Sequence, residues 1–392
     1  MRILLQTYAF WPSWGGVQKF VHSLYRYMRS HHCNIRLATA NRIVISEKEK
    51  YFVWPWSNKL GVKSNGFGFT AISLARAHGK FDPRKILFRI YSAFAYFRYC
   101  LSLLLFRPQI VHLIYINVDA VFAVRAKKHF GFKLLTSCRG SDILAVDEKN
   151  RFTQQVVLET LRSSDAITAV SNEVGAKVRA LLHDDTIPVH VVPNGIEFND
   201  SRGATRQTNG AKYFIFAGHM DENKNPAFVI GAFNAFRSSH PDYKLKLIGS
   251  GPLLDSLKAM VAESGLDHAI EFPGAVSSQQ AKEYIVNAVA LIIASAREGC
   301  PNVVLEAMSA RTVVIGSNRS GIKEIIRHNE NGLLFDYNNS GQLIKCMEQI
   351  VQSEDLRERL IENAAATIRL DHNQNDVMQR YLLLYRQLCD AG

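Results

Sequence analysis

The chain has 392 residues, 47% of them apolar and 21% charged, and a formal net charge of +12. That length exceeds one ordinary core and fits two domains, while the apolar share excludes a disordered or low-complexity protein. Six widely spaced cysteines with no CxxC pair argue against a disulfide framework or zinc ribbon and fit reduced thiols of a cytosolic protein.

Read in order, the first half alternates short apolar runs with helix-like stretches. The apolar stretch at residues 1–6 is too short for a secretory leader and reads as the start of a buried strand. Strands are predicted over 3–8, 35–39, 110–115, 133–137, 166–170 and 189–192, with helices over 17–29, 84–107, 117–129 and 172–182. Residues 86–106 form the longest apolar segment, but Arg89 and Arg98 within it argue against a membrane span. The polar run 197–210 has almost nothing to bury and reads as a linker. Beyond it, strands over 213–217, 244–248, 270–272, 291–294, 312–315 and 332–335 alternate with helices over 225–236, 252–264, 279–287 and 302–309. Residues 376–389 read as a terminal helix. Such alternation predicts parallel sheets covered on both faces, hence an α/β protein. The expected division is a first domain at 1–195, a linker at 196–211, a second domain at 212–375 and a terminal helix at 376–392.

Three constellations could carry chemistry. The strand over 291–294 runs through Ser295, Ala296, Arg297, Glu298, Gly299, Cys300 and Pro301 into a helix that opens at Asn302. The free N–H groups and positive dipole end of such a helix start suit a diphosphate. Glu298 stands at the strand's carboxyl end and Glu306 about one turn into the helix, so two carboxylates flank the phosphate seat and could grip sugar hydroxyls. A Glu pair alone is usually an ordinary surface pair; the strand–loop–helix setting reverses that here. Next, the strand ending at Ala217 leads through Gly218, His219 and Asp221 to Lys224. A lysine there would stabilise the charge that grows on a leaving diphosphate, although one lysine in a turn also fits plain solvation. Last, Gly15 and Gly16 follow the first strand within Pro12-Ser13-Trp14-Gly15-Gly16-Val17 and open a helix. Paired glycines let a backbone approach phosphate closely, and equally form simple turns.

Together these features resemble the family-four retaining glycosyltransferases (glycosyl transferases group 1). The GT-B fold of that family sets two facing Rossmann-like domains together, with a C-terminal helix that packs back on the first. The resemblance spans nearly the whole chain. Glu298 to Glu306 matches the family's Glu-x7-Glu element and Gly218 to Lys224 its glycine-turn-lysine element. Ile248-Gly249-Ser250-Gly251-Pro252, Ser320-Gly321-Ile322-Lys323-Glu324, Asn331-Gly332-Leu333 and Val192-Pro193-Asn194-Gly195-Ile196 look like further signatures. The resemblance implies that Glu306 binds the donor ribose, Glu298 the transferred sugar and Lys224 the diphosphate. Backbone groups of Gly16, Asn302 and Val303 would complete the seat, and Cys300 and Pro301 would shape the sugar pocket. It also implies a UDP- or GDP-linked donor, no metal or other cofactor, and retention by same-face attack in which the departing phosphate takes the acceptor's proton.

Two positions depart from the family pattern. His219 stands where Arg is usual, which would weaken the grip on the diphosphate. Cys138-Arg139-Gly140-Ser141-Asp142 stands where the family often has His-Gly-x-Asp. Arg139 cannot serve as a base, though its guanidinium can bind an acidic sugar or a phosphate. Arg139 and Asp142 are therefore candidates for catalysis and equally for a structural pairing with each other.

Charge is unevenly placed. Residues 1–200 carry 27 Lys and Arg against 14 Asp and Glu, or +13, and residues 201–392 carry 20 against 21, or −1. Within 59–107 there are nine basic residues, ten aromatics and one acid, Asp82, which with Pro83 forms a good helix start. That mixture reads as a surface for anionic lipid head groups, or as a core helix with a solvated charged face. No helix-turn-helix, zinc or RNA-sheet pattern accompanies the charge, so nucleic acid is not expected. The cysteine pattern and this basic surface lead to the expectation of a cytoplasmic enzyme, peripheral at the inner face of the plasma membrane, and the family resemblance adds what it would make. It would add a hexose or acetamidohexose to a lipid-linked glycan of lipopolysaccharide, capsule or exopolysaccharide. Alternatives on the same fold are a sugar-nucleotide epimerase or phosphorylase, and a non-catalytic nucleotide-sugar-binding protein.

Overall fold

The computed structural model describes residues 1–8, 15–39, 53–55, 83–183, 186–198 and 212–390, with side chains of 53–55 and 83–91 excepted. Asp82, Pro12 to Trp14, the basic residues Lys59, Lys63, Arg76 and Lys80, and most of the expected linker lie outside the described residues. The chain divides into two units: Met1–Val170, Val174–Val192 and Met378–Gly392 form the first, and Ser171–Glu173 with Pro193–Val377 the second.

In the first unit, β1 (Arg2–Thr7), β2 (Asn34–Thr39), β3 (Val53–Pro55), β4 (Ile110–Ile114), β5 (Lys133–Cys138), β6 (Ala166–Ala169) and β7 (Val189–Val191) make one sheet. Its order is β3-β2-β1-β4-β5-β6-β7, and every pairing is parallel. All five residues of β4 are buried, as expected for a central strand covered on both faces. In the second unit, β8 (Tyr213–Ala217), β9 (Lys244–Ile248), β10 (Ile270–Gly274), β11 (Ala290–Ile293), β12 (Val313–Ser317) and β13 (Leu333–Phe335) form a parallel sheet of order β10-β9-β8-β11-β12-β13. Phe214 on β8 meets Phe236 edge-on at 5.4 Å, and the fully buried Phe233 lies beside them. Each such ring contributes about 1.5–3 kcal/mol by leaving water. The α/β reading with parallel sheets holds for both units.

Several boundaries differ from the sequence expectation for visible reasons. The helix expected from 117 begins at Ala120, because Asn117 Oδ1 accepts the Asp119 amide at 3.0 Å and holds 117–119 in a turn. β12 starts one residue late, since Thr312 gives its amide to Ala307 O and its hydroxyl to Ile285 O. Helices Arg151–Ser163, Ser340–Gln352 and Glu354–Asp371 were not expected; each has a side-chain cap, from Asn150, Asn339 and Ser353 respectively. The last helix, Gln374–Asp390, starts in the second unit and from Met378 belongs to the first. Tyr381 and Tyr385 on it are buried there, and the Tyr385 hydroxyl lies 2.6 Å from His112 Nδ1.

Candidate functional site

In the second unit the strand order reverses between β8 and β11, and the loops leaving the carboxyl ends of those two strands carry the charged candidates. Open parallel sheets place ligands at such a switch point. The loop after β8 is built on glycines. Gly218 donates to Ile248 O and Met220 to Ser250 O, tying it to the turn after β9. A Cβ on Gly251 would fall 2.4 Å from Met220 O, so only glycine lets the two turns touch. Asp221 then accepts the Lys224 amide at 3.0 Å, Asn225 takes a left-handed φ of 55°, and Pro226 opens the next helix.

Asn223 joins the two loops. Its side-chain amide donates to Arg297 O at 3.0 Å and accepts from Arg297 N at 3.1 Å, and its carbonyl accepts from Ala296 N. This clamp brings the Lys224 ammonium into an ion pair with Glu298. The Glu298 side chain is only 13% exposed, so the pair sits largely out of water. Beside it, Pro301 caps the helix Asn302–Ser309, whose first amides have no intrahelical acceptor. Glu306 is half-buried one turn along that helix, and His219 is exposed. Lys224, Glu298, Cys300, Pro301, Asn302, Val303 and Glu306 thus come from two adjacent loops and one helix start.

Two supports went unread in the sequence. Gly321 donates to Glu298 O at 2.9 Å, and a Cβ there would meet Gly299 O at 1.8 Å, so the β12 turn presses on the backbone that presents Glu298. Asn194 donates to Cys300 O at 2.8 Å and to Asn302 Oδ1 at 2.7 Å, while its own carbonyl lies 2.8 Å from His372 Nδ1. It therefore fixes the start of the helix Asn302–Ser309 from a segment about a hundred residues away in sequence. The motif containing Asn194 was visible, but its contacts were not.

In the first unit, Gly16 is the first residue of the helix Gly16–Ser30, directly after the extended cap Gly15. Asp142 is fully buried, and its carboxylate accepts the amides of Ile116, Arg139 and Gly140 at 2.8–3.2 Å. Burial raises its pKa, opposed by those three donors. The Arg139 guanidinium lies 3.9 Å from the centre of the Phe20 ring, a cation–π contact. The pairing between these residues thus runs from Asp142 to the Arg139 backbone, not to its guanidinium. His112 is fully buried between Tyr385 and the Ser137 hydroxyl, and its pKa falls to about 3 through desolvation first and the Arg139 charge second. Among the described residues, no three His, Cys, Asp or Glu side chains gather where they could hold a metal, and none of the six cysteines is in a disulfide.

Two parallel Rossmann-like units with charged loops at a switch point define the GT-B class of glycosyltransferase folds. The model for glycosyl transferases group 1 matches residues 197–367, and that for glycosyltransferase family 4 matches residues 14–200; between them they take in most of the chain, which belongs to this family. A Campylobacter jejuni α-1,4-N-acetyl-D-galactosaminyltransferase, named for an undecaprenol-diphosphate-linked substrate, is 26% identical over 52% of this chain and 56% of its own. The first three curated relatives are matched over 64%, 41% and 56% of their lengths. Among solved structures, sucrose-phosphate synthase from Thermosynechococcus elongatus superposes with a TM-score of 0.80 at 17% identity, covering all of both chains. Anabaena HepE in complex with UDP gives 0.78 at 15%, covering 99% of this chain and 100% of that one. At these identities the likeness establishes the fold.

Proposed function

We propose that this protein transfers a hexose or acetamidohexose, with retention, from a UDP- or GDP-sugar to a lipid-linked glycan acceptor in surface-polysaccharide synthesis. The observation that carries the reading is the Lys224–Glu298 pair beside the open amides of the helix Asn302–Ser309, at the switch point of the second sheet. The lipid-linked acceptor is supported by the Campylobacter relative's printed substrate. In the free protein each charge of the pair holds the other. An arriving diphosphate offers more negative charge, draws Lys224 away and releases Glu298 toward sugar hydroxyls. Glu306 then takes the ribose, and His219 lies at the rim of the diphosphate. The bond from the anomeric carbon to the diphosphate oxygen breaks with its electron pair on that oxygen. The acceptor hydroxyl adds from the same face, and its proton passes to the departing phosphate. Lys224 and the helix start stabilise the charge left behind, so no metal or other cofactor is required. Asp142 shapes the turn that presents Arg139, whose guanidinium stacks on the Phe20 ring.

The test is a panel of UDP-, GDP- and ADP-sugars, with and without membrane extract and with EDTA, read by release of nucleoside diphosphate. Release that needs the extract and survives EDTA is the expected outcome. Donor conversion without acceptor would instead indicate an epimerase or phosphorylase, and binding without turnover a nucleotide-sugar binder.

A further inference from the structure

The helix Pro83–Phe106 has two unlike faces. Ala95, Tyr99, Ser102, Leu103 and Phe106 are buried in the first unit, where the Tyr99 hydroxyl donates to Gln6 at 2.7 Å and the Tyr99 ring packs on Phe122. On the other side Phe94, Phe97, Leu101, Leu104 and Leu105 are 57, 62, 37, 56 and 61% exposed. Their spacing places them on one arc about 100° wide. Five of the eight large apolar side chains exposed among the described residues fall on this one helix face. Scattered exposed apolar residues need no explanation, but a contiguous stripe marks a docking surface.

Charge identifies the occupant. Between Pro83 and Arg107 there are five basic residues and no acid, and the adjoining helix Ala120–Phe130 adds Arg125, Lys127 and Lys128, again with no acid. Arg98 lies next to the stripe, its guanidinium 6.0 Å from the Phe94 ring, while Arg107, Arg125 and Lys128 are exposed. Lys127 is held by Asp165 at 2.6 Å, but an apolar face flanked by Arg98, Arg107, Arg125 and Lys128 suits the head-group layer of an anionic bilayer, with the rings and leucines below the phosphates and the guanidiniums among them. A spanning orientation does not fit: no helix among the described residues is long and apolar enough to cross a membrane, and the opposite face belongs to the core.

We propose that the face formed by Phe94, Phe97, Leu101, Leu104 and Leu105 docks the first unit on an anionic phospholipid surface, the helix lying in the plane of the membrane. Its purpose rests on the lipid-linked-acceptor reading, but binding is measured without donor or acceptor, so the two stand or fall separately. The full chain is sedimented with vesicles of phosphatidylcholine, with and without phosphatidylglycerol. Binding to the phosphatidylglycerol vesicles is expected, and the double variant Phe97→Ser/Leu104→Ser should lose about tenfold or more of it with an unchanged thermal melt and unchanged UDP titration. A second readout does not depend on that variant: a polarity-sensitive dye on Leu101→Cys should shift to the blue when anionic vesicles are added. Wild-type protein that stays in the supernatant, a double variant that binds equally, or a dye that does not respond would each overturn the proposal. So would conversion of a dimer to a monomer by the double variant, which would assign the face to a second copy of the chain.

Discussion

The two sheets are built alike and used differently. Both run outward from a central pair, β1 with β4 and β8 with β11, with later strands added at the sides. In the second unit the switch point presents an ammonium, a carboxylate and open amides on glycine-shaped loops. In the first, the polar groups turn inward: His112 bonds to Tyr385 and Ser137, and Asp142 is enclosed by backbone amides. The same topology thus presents a charged pair on the loops of one unit and, in the other, encloses its polar groups with internal partners.

Breaking that contrast should cost most at Lys224. Lys224→Ala is expected to lower kcat/KM for the donor by about 10²–10³-fold, roughly 2.7–4 kcal/mol, with little change in melting, as read by nucleoside diphosphate release. Glu306→Ala should come next, weakening donor binding by about 1.5–3 kcal/mol, the loss of a charged hydrogen bond, measured by calorimetry. Retained affinity would contradict the placement of the ribose.

The third prediction sharpens the comparison from the scaffold side. The fully buried His112 has a pKa of about 3, against 6.5 for the free side chain. Folding favours the neutral ring, so its contribution is complete above pH 6.5 and is lost as pH falls from there toward 3. The slope approaches about 1.4 kcal/mol per pH unit. Urea midpoints followed across that window should change less steeply in His112→Asn than in the wild type. Smallest is Asn194→Ala, expected to raise the donor KM about fivefold, near 1 kcal/mol, with kcat little changed. A matching fall in kcat would mean that Asn194 does more than hold the helix start.

The sequence made some of this legible and hid the rest. Strands such as Tyr213–Ala217 and Lys244–Ile248 could be read to the residue because apolar runs there stop abruptly at turn residues. The helix Asn302–Ser309 was equally plain, since a proline and a strand fix its start. Glu354–Asp371 escaped notice because its buried residues, among them Leu360, Ala364 and Ile368, are diluted by charge on every other face. Arg139 and Asp142 could be named but not assigned, because whether a carboxylate meets a guanidinium or three amides depends on how the β5 turn closes. Asn194 and Gly321 act across distances in sequence that no local pattern encodes.

The membership of the final helix has a practical consequence for dissecting the molecule. A fragment ending at Val192 would omit Tyr381 and Tyr385, leaving the His112 imidazole and the Ser137 hydroxyl facing a gap in the interior. Such a piece should be recovered folded only when a peptide spanning 378–390 is supplied in trans, whereas 193–377 carries its own interior and is the sensible starting point for isotope-labelled titrations with nucleotides.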